Sequence, residues 1–242
     1  MLRRTGSIAG ARYAFTDRYG GASTAPYAEL NLGDHVGDDP AAVDDNRRRL
    51  AAAMDLDPAR LVLMRQVHGR AVAVVDGPQD PAAPLPEADA LVTTGRDLGL
   101  VVLVADCVPV LLAARRSDAV AVAHAGRRGV EAGVVPATVA AMQELGARPD
   151  RIVAVIGPAV CGRCYEVPRE LADQVTAVVP AAAATSATGT PALDLRAAVV
   201  AQLLAAGVET IEADPRCTAE SPDLFSHRRD GVTGRFAGVV VT

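Results

Sequence analysis

Apolar residues change their spacing several times along the chain, and each spacing predicts an element. After Asp39-Pro40, an N-cap followed by a first-turn proline, Val43, Leu50 and Met54 recur at helical spacing and predict a helix over 40–54. Short β-branched runs follow at 61–65, 71–75, 89–93, 99–105, 109–114 and 119–124, punctuated by Gly, Pro and Asp. These read as strands, several of them buried on both faces. Val135, Val139 and Met142 share one helical face, with Gly146 as the stop. Residues 151–156 read as another inner strand. Thr190-Pro191 opens a third helix that carries Leu195, Val199 and Leu203 and ends at Gly207, and 236–241 form a last strand.

Residues 180–190 are mostly Ala, Ser, Thr and Gly without an apolar period, which reads as a mobile surface loop. No linker or internal repeat divides the 242 residues, so a single domain over 1–242 is expected. Strands and helices interleave irregularly, which favours an α/β fold with layered mixed sheets over a regular doubly wound one.

Charge narrows the function. With 24 basic against 29 acidic residues, net −5, no sequence-wide positive field exists to hold nucleic acid or an anionic membrane, and small-molecule chemistry is favoured. Every basic residue is Arg, which excludes a lysine nucleophile and leaves planar donor forks suited to phosphate or carboxylate. Residues 98–114 are nearly all apolar, but Asp106 and Pro109 interrupt them and they fall short of the roughly 20 residues of a membrane helix. No apolar run of signal-peptide length follows Arg3 and Arg4, so a cytoplasmic location is expected. In that reducing compartment Cys107, Cys161, Cys164 and Cys217 point to metal binding, catalysis or burial rather than disulfides.

Three residues carry the candidate chemistry. His68, in Gln66-Val67-His68-Gly69, falls at a turn between two strand-like runs. Cys107 follows Asp106 at the end of an apolar run, where a buried carboxylate needs a partner. His124 ends a strand, and Ala125-Gly126-Arg127-Arg128-Gly129 then turns into a helix whose first N–H groups suit an anion. Two imidazoles and a thiolate suit zinc, and three protein ligands leave the open position of a catalytic site. Taken singly, each is also what a hydrogen-bonded core histidine or a small buried thiol looks like, and the residues alone leave both readings open. Cys161-Gly162-Arg163-Cys164 has C-x-x-C spacing, but no second C-x-x-C accompanies it, so it reads as structural. The polar stretch 225–230 fits a cleft wall or a solvated loop, and His35 is a second-rank candidate in a surface loop.

Several motifs occur together and in order: Gln66-Val67-His68-Gly69, Glu87-Ala88-Asp89-Ala90-Leu91-Val92-Thr93, Ala105-Asp106-Cys107-Val108-Pro109-Val110, His124-Ala125-Gly126, Ile156-Gly157-Pro158 with Tyr165-Glu166-Val167, and Phe225-Ser226-His227-Arg228-Arg229-Asp230. From about Phe15 onward the chain resembles the YfiH family, also called the polyphenol oxidase or laccase-domain family. The resemblance implies a layered α-β-β-α fold similar to the catalytic domain of a cytotoxic necrotizing factor. It also implies a zinc-dependent purine nucleoside enzyme. Such an enzyme phosphorolyses adenosine, inosine, guanosine or methylthioadenosine to free base and (deoxy)ribose 1-phosphate, and deaminates adenosine to inosine.

Carried onto this chain, the metal ligands are His68, Cys107 and His124. Cys107 and His124 are catalytic, and Asp106 orients a ligating histidine or shuttles a proton. Purine nucleoside and phosphate are the partners, with Arg47, Arg128, Arg228 and Arg229 as candidate phosphate donors. Arg127 stands where the family usually has Trp, which removes an aromatic contact at the edge of the site. A metal-free rival uses Cys107 as nucleophile and His124 as base to cleave an amide in a peptidoglycan precursor. Copper-dependent polyphenol oxidation ranks lower, because coupled copper centres need more ligands than three and the chain has four histidines. A non-enzymatic interaction module would leave the same motifs only shaping turns.

Overall fold

The inner strands are apolar on both faces because they lie in two sheets stacked on one another, each covered outside by helices. The computed structural model describes residues 1–80 and 82–242. One sheet runs in the order β1 (Leu2–Ile8), β2 (Ala11–Thr16), β13 (Phe236–Val241), β6 (Gly99–Val104) and β3 (Leu61–Val62), antiparallel except for the β6–β3 pair. The other runs β12 (Thr210–Ala213), β9 (Ile152–Ile156), β7 (Val108–Ala114), β8 (Val120–Ala125), β5 (Ala90–Thr93) and β4 (Val72–Val74), with both outer pairs parallel.

Phe15, Leu100, Val102 and Phe236 of the first sheet pack on Leu91, Leu111, Val122 and Val155 of the second. Helix α1 (Pro40–Ala53), capped by the Asp39 side chain on the Ala41 N–H at 3.0 Å, buries Leu50 and Ala51 on the outside of the first sheet. Outside the second sheet lie α2 (Arg127–Ala132), α3 (Val134–Glu144), α4 (Arg169–Val178) and α5 (Leu195–Ala205). The four layers are the α-β-β-α arrangement that the family resemblance implies, and they contain the mixed sheets expected from the irregular interleaving. No helix among the described residues is long and apolar enough to cross a membrane.

Three expectations change. The segment read as a mobile loop contains β10 (Ala183–Thr185), which pairs with β11 (Pro191–Leu193). A knot of hydroxyls from Ser186, Thr188 and Thr190 closes the turn between them. Pro191 therefore belongs to a strand and does not open a helix. The third helix starts later, at α5, where the Asp194 side chain caps the Ala197 N–H at 2.9 Å. The N-terminal hairpin β1–β2, helix α4 and strand β12 have no counterpart in the sequence reading.

Topology explains where the site falls. The chain crosses from the first sheet to the second at residues 105–107, between β6 and β7, and again at 63–71, between β3 and β4. Cys107 and His68 lie on these two crossings. His124 lies near the end of β8 and Asp89 just before β5, so four residues distant in sequence meet at one edge of the stack.

Candidate active site

One buried carboxylate organises the centre. Asp89 is fully buried, and its Oδ1 accepts from His124 Nδ1 at 2.8 Å and from the His68 N–H at 2.9 Å. Its Oδ2 accepts from the N–H of Gly69 at 2.6 Å and of Val67 at 3.3 Å. The acid thus shapes the 67–69 turn and orients His124 in the same act. Burial raises its pKa, but hydrogen bonds from His124 and the Gly69 and His68 amides outweigh that and hold it below the usual carboxylate range. The turn holds His68 at φ +60, and the Cys107 crossing holds Asp106 at φ +91. Left-handed backbone at non-glycine residues costs about 1–3 kcal/mol and persists where surrounding bonds over-determine it.

With Nδ1 committed to Asp89, His124 turns Nε2 toward Cys107. The donor atoms of His68, Cys107 and His124 lie within 4.8 Å of one another. Cys107 Sγ is 4.0 Å from His68 Nε2, and the two imidazoles meet edge to face at 4.7 Å between centroids. Gly126 makes the convergence possible. A Cβ there would lie 2.9 Å from His68 Cδ2 and 3.0 Å from Cys107 Sγ. Burial pushes the Cys107 thiol up, but the charge and hydrogen bonds of His124, helped by His68, bring it down to about 6. Burial lowers His124, while the Cys107 thiolate and Asp89 raise it to about 9. Without an ion, the centre is a thiolate–imidazolium pair at neutral pH.

Asp106 does not orient a histidine; Asp89 does. The Asp106 carboxylate accepts instead from Thr218 Oγ1 at 2.6 Å, Ser226 Oγ at 2.7 Å and the Arg228 N–H at 2.6 Å. It anchors the loop that leads into α6 (His227–Asp230), whose N-cap is Ser226. This fixes the 225–230 stretch as a cleft wall.

The donors lie in a cavity of about 620 Å³, within the range of small-molecule sites. Leu103, Val104, Val160 and Tyr165 give it apolar walls, and Arg127, Arg228 and Arg235 ring it with positive charge. Arg228 stacks its guanidinium over Tyr165 at 5.1 Å. Arg235 Nη1 donates to the carbonyls of Thr233 and Gly234, which aims the group without neutralising it. Arg127 is partly neutralised by Glu131 at 2.7 Å.

Of the arginines expected to bind phosphate, only Arg228 lines this cavity. Arg47 pairs with Asp34 at 3.2 Å and lines an adjoining hollow. Arg128 is exposed outside the cavity, and Arg229 turns its fork onto Asp230 and the carbonyls of Thr218, Ser221 and Leu224. His35 and His227 line the cavity but are not among the clustered donors.

Fold and site together define a class: a mixed α/β protein with a His-Cys-His, metal-capable centre where two stacked sheets meet. Residues 12–242 match the family model described as multi-copper polyphenol oxidoreductase laccase, and the chain belongs to that family. A Streptomyces coelicolor protein named purine nucleoside phosphorylase is 58% identical over 240 residues, covering 99% of both chains. One of the same name from Corynebacterium glutamicum is 52% identical over 229 residues, covering 95% of this chain and 93% of the other. YlmD from Geobacillus stearothermophilus matches with a TM-score of 0.88 at 38% identity, covering 96% of this chain and 92% of that one. Bacillus licheniformis YfiH matches at 0.87 and 31%, with the same coverage.

Proposed function

We propose that this chain is a zinc-dependent purine nucleoside phosphorylase whose cleft also deaminates adenosine. The observation that carries the proposal is the convergence of His68, Cys107 and His124 in a cavity ringed by three arginines. The names of its relatives support the phosphorylase part of it. The donor set fits zinc: one thiolate and two imidazoles, one imidazole oriented by a carboxylate, and a glycine leaving the space between them free. When bound, zinc supplies a Lewis acid with one coordination position open to substrate or solvent.

The chain's own groups do the rest. Arg228 and Arg235, neither neutralised by an acid, hold phosphate through charge-assisted forks. Tyr165, Val160 and Leu103 receive the apolar face of a purine. A phosphate oxygen bonds to ribose C1′, the C1′–N9 bond breaks, and the purine leaves with the electron pair and takes up a proton. Adenosine, inosine, guanosine and methylthioadenosine share that bond. Four histidines, two of them outside the donor cluster, do not supply a coupled copper centre.

Phosphate recognition gives a direct test. Arg228→Ala and Arg235→Ala are each expected to raise the KM for phosphate about 10-fold or more with a smaller change in the KM for nucleoside. An unchanged phosphate KM in both variants would remove the arginine ring from the mechanism.

The ionisation of the centre gives a second. At pH 7.5 Cys107 is already a thiolate, whereas His124, raised to about 9, still carries a proton. Loading zinc is expected to release about one proton from this centre, so apparent affinity falls about 10-fold per pH unit from 9 down to 6. Below about 6 Cys107 must also lose its proton, and the fall steepens. Calorimetry on the Cys161→Ser/Cys217→Ser variant, in two buffers of different ionisation enthalpy, measures the protons. Zero protons released at pH 7.5 contradicts the assignment.

One observation favours the cysteine-hydrolase reading in second place: Cys107, His124 and Asp89 also form a nucleophile–base–acid series. In that case metal-stripped protein keeps its turnover on an amide substrate and zinc inhibits it.

A further inference from the structure

The C-x-x-C turn lacks a second C-x-x-C in sequence, but the fold supplies its counterpart. Cys161, Cys164, Cys217 and Glu220 bring one donor atom each to within 4.8 Å of the others. Each half is the same local device, a three-residue step closed by a backbone bond. The Cys164 N–H donates to the Cys161 carbonyl at 3.0 Å, and the Glu220 N–H to the Cys217 carbonyl at 3.2 Å. The halves are joined by a β-bridge between Ala159 and Cys217, reinforced by the Thr218 N–H on the Ala159 carbonyl at 3.2 Å. The Cys161 N–H points at Cys217 Sγ from 3.3 Å, the bond that steadies a thiolate sulfur. Gly162 lets the first turn sit flush against the β10–β11 hairpin, because a Cβ there would lie 2.9 Å from that of Ala184.

We propose that Cys161, Cys164, Cys217 and Glu220 form a second metal site, a zinc knuckle separate from the His68–Cys107–His124 centre and independent of the function proposed above. Three thiolates and a carboxylate are a tetrahedral zinc set, which needs sulfurs roughly 3.8 Å apart for Zn–S bonds of about 2.3 Å. All four positions are filled by protein, the closed arrangement of a structural ion. Burial and the neighbouring sulfurs push the Cys164 and Cys217 thiols up, and a dication among them is the charge that lets them ionise together.

The ion has a place in the architecture. Val160 and Tyr165, flanking the first turn, line the cleft, and Thr218, next to Cys217, donates to Asp106 beside Cys107. A metal here ties the 159–165 turn to the 214–226 loop and fixes the part of the cleft wall that Val160 and Tyr165 form. Within the nucleoside chemistry proposed above, on which this effect alone rests, its loss is expected to raise the KM for nucleoside more than it lowers kcat.

The test uses the full chain with Cys107→Ala, in which the only remaining thiols are those of this site. Loaded with cobalt(II), this variant is expected to bind one ion and show a thiolate-to-cobalt charge-transfer band. Cys161→Ser/Cys217→Ser in the same background abolishes the band. Glu220→Gln, a surface change that leaves the sulfurs in place, keeps the band but weakens cobalt binding by about 10- to 100-fold. No band in the Cys107→Ala protein, with all three thiols free to a thiol reagent, overturns the proposal. A disulfide between two of the three in protein isolated under air, shown by mass spectrometry, overturns it in favour of a redox pair.

Discussion

Replacing Asp89 by Asn is expected to lower kcat about 100-fold and to destabilise the protein by about 3–5 kcal/mol. Both effects follow from its four hydrogen bonds. Asp89 accepts from three backbone amides and from His124 Nδ1 inside a dry site. The isosteric amide removes the charge that these donors solvate and sets an NH2 against at least one of them. For a chain of 242 residues such a loss lowers the Tm by roughly 10 °C. The kinetic loss has a different origin, because His124 no longer has a fixed tautomer and Nε2 no longer faces Cys107. Asp150→Asn, at an exposed acid paired only with Arg148, is the control and should change neither quantity. Thermal melts and steady-state kinetics on the two variants separate the roles; wild-type turnover in Asp89→Asn would show that His124 needs no orienting acid.

Gly126→Ala is expected to abolish metal binding at the His-Cys-His centre, by about 100-fold or more in affinity, while leaving the fold nearly unchanged. The backbone at Gly126 is at φ −77 and ψ 169, which any residue adopts, so glycine is not there for conformational freedom. It is there for space. The added methyl would press on His68 and Cys107 at 2.9–3.0 Å and lie 3.6 Å from His124 Cε1, so the groups that must yield are the proposed ligands themselves. Overpacking costs about 1–3 kcal/mol in a closed core and less here, where His68 is exposed and can swing out. Metal analysis beside a thermal melt gives both numbers. Full metal content in Gly126→Ala would mean that the ion sits elsewhere.

Sequence spacing disclosed the elements with both faces buried and the helix with a strong cap, because those signals are local. Strands β6, β7 and β8 are buried at every position and show as unbroken apolar runs. Strand β1 was silent for the opposite reason: as an edge strand it exposes most of its residues and carries no alternation. The β10–β11 hairpin was hidden by its composition, since Ala, Ser and Thr on a short surface ribbon look like a loop. Residues 161–164 could not be weighed without Cys217, whose pairing with Ala159 is a long-range bridge.

The site followed the same division. His68, Cys107 and His124 were legible as residues of metal-binding type at the ends of apolar runs. Their convergence was not, because it depends on two crossings between sheets. The role of Asp89 is not legible from spacing because its partners lie 20 to 35 residues away. The signal was nonetheless present, an acid opening a fully buried strand, and the demand for a partner placed on Asp106 applied to it with more force. Arg235 lines the cavity while Arg47 and Arg128 lie outside it, since which arginine reaches a cleft depends on loop paths that spacing does not encode.

The most direct measurement is of adenine and inosine formed from adenosine by metal-quantified protein, with and without phosphate, beside Cys107→Ala. Zinc-containing protein is expected to release adenine only when phosphate is present and to form inosine without it, and Cys107→Ala to do neither. Adenosine left intact by zinc-loaded protein, or equal product from the metal-stripped form, would contradict the assignment.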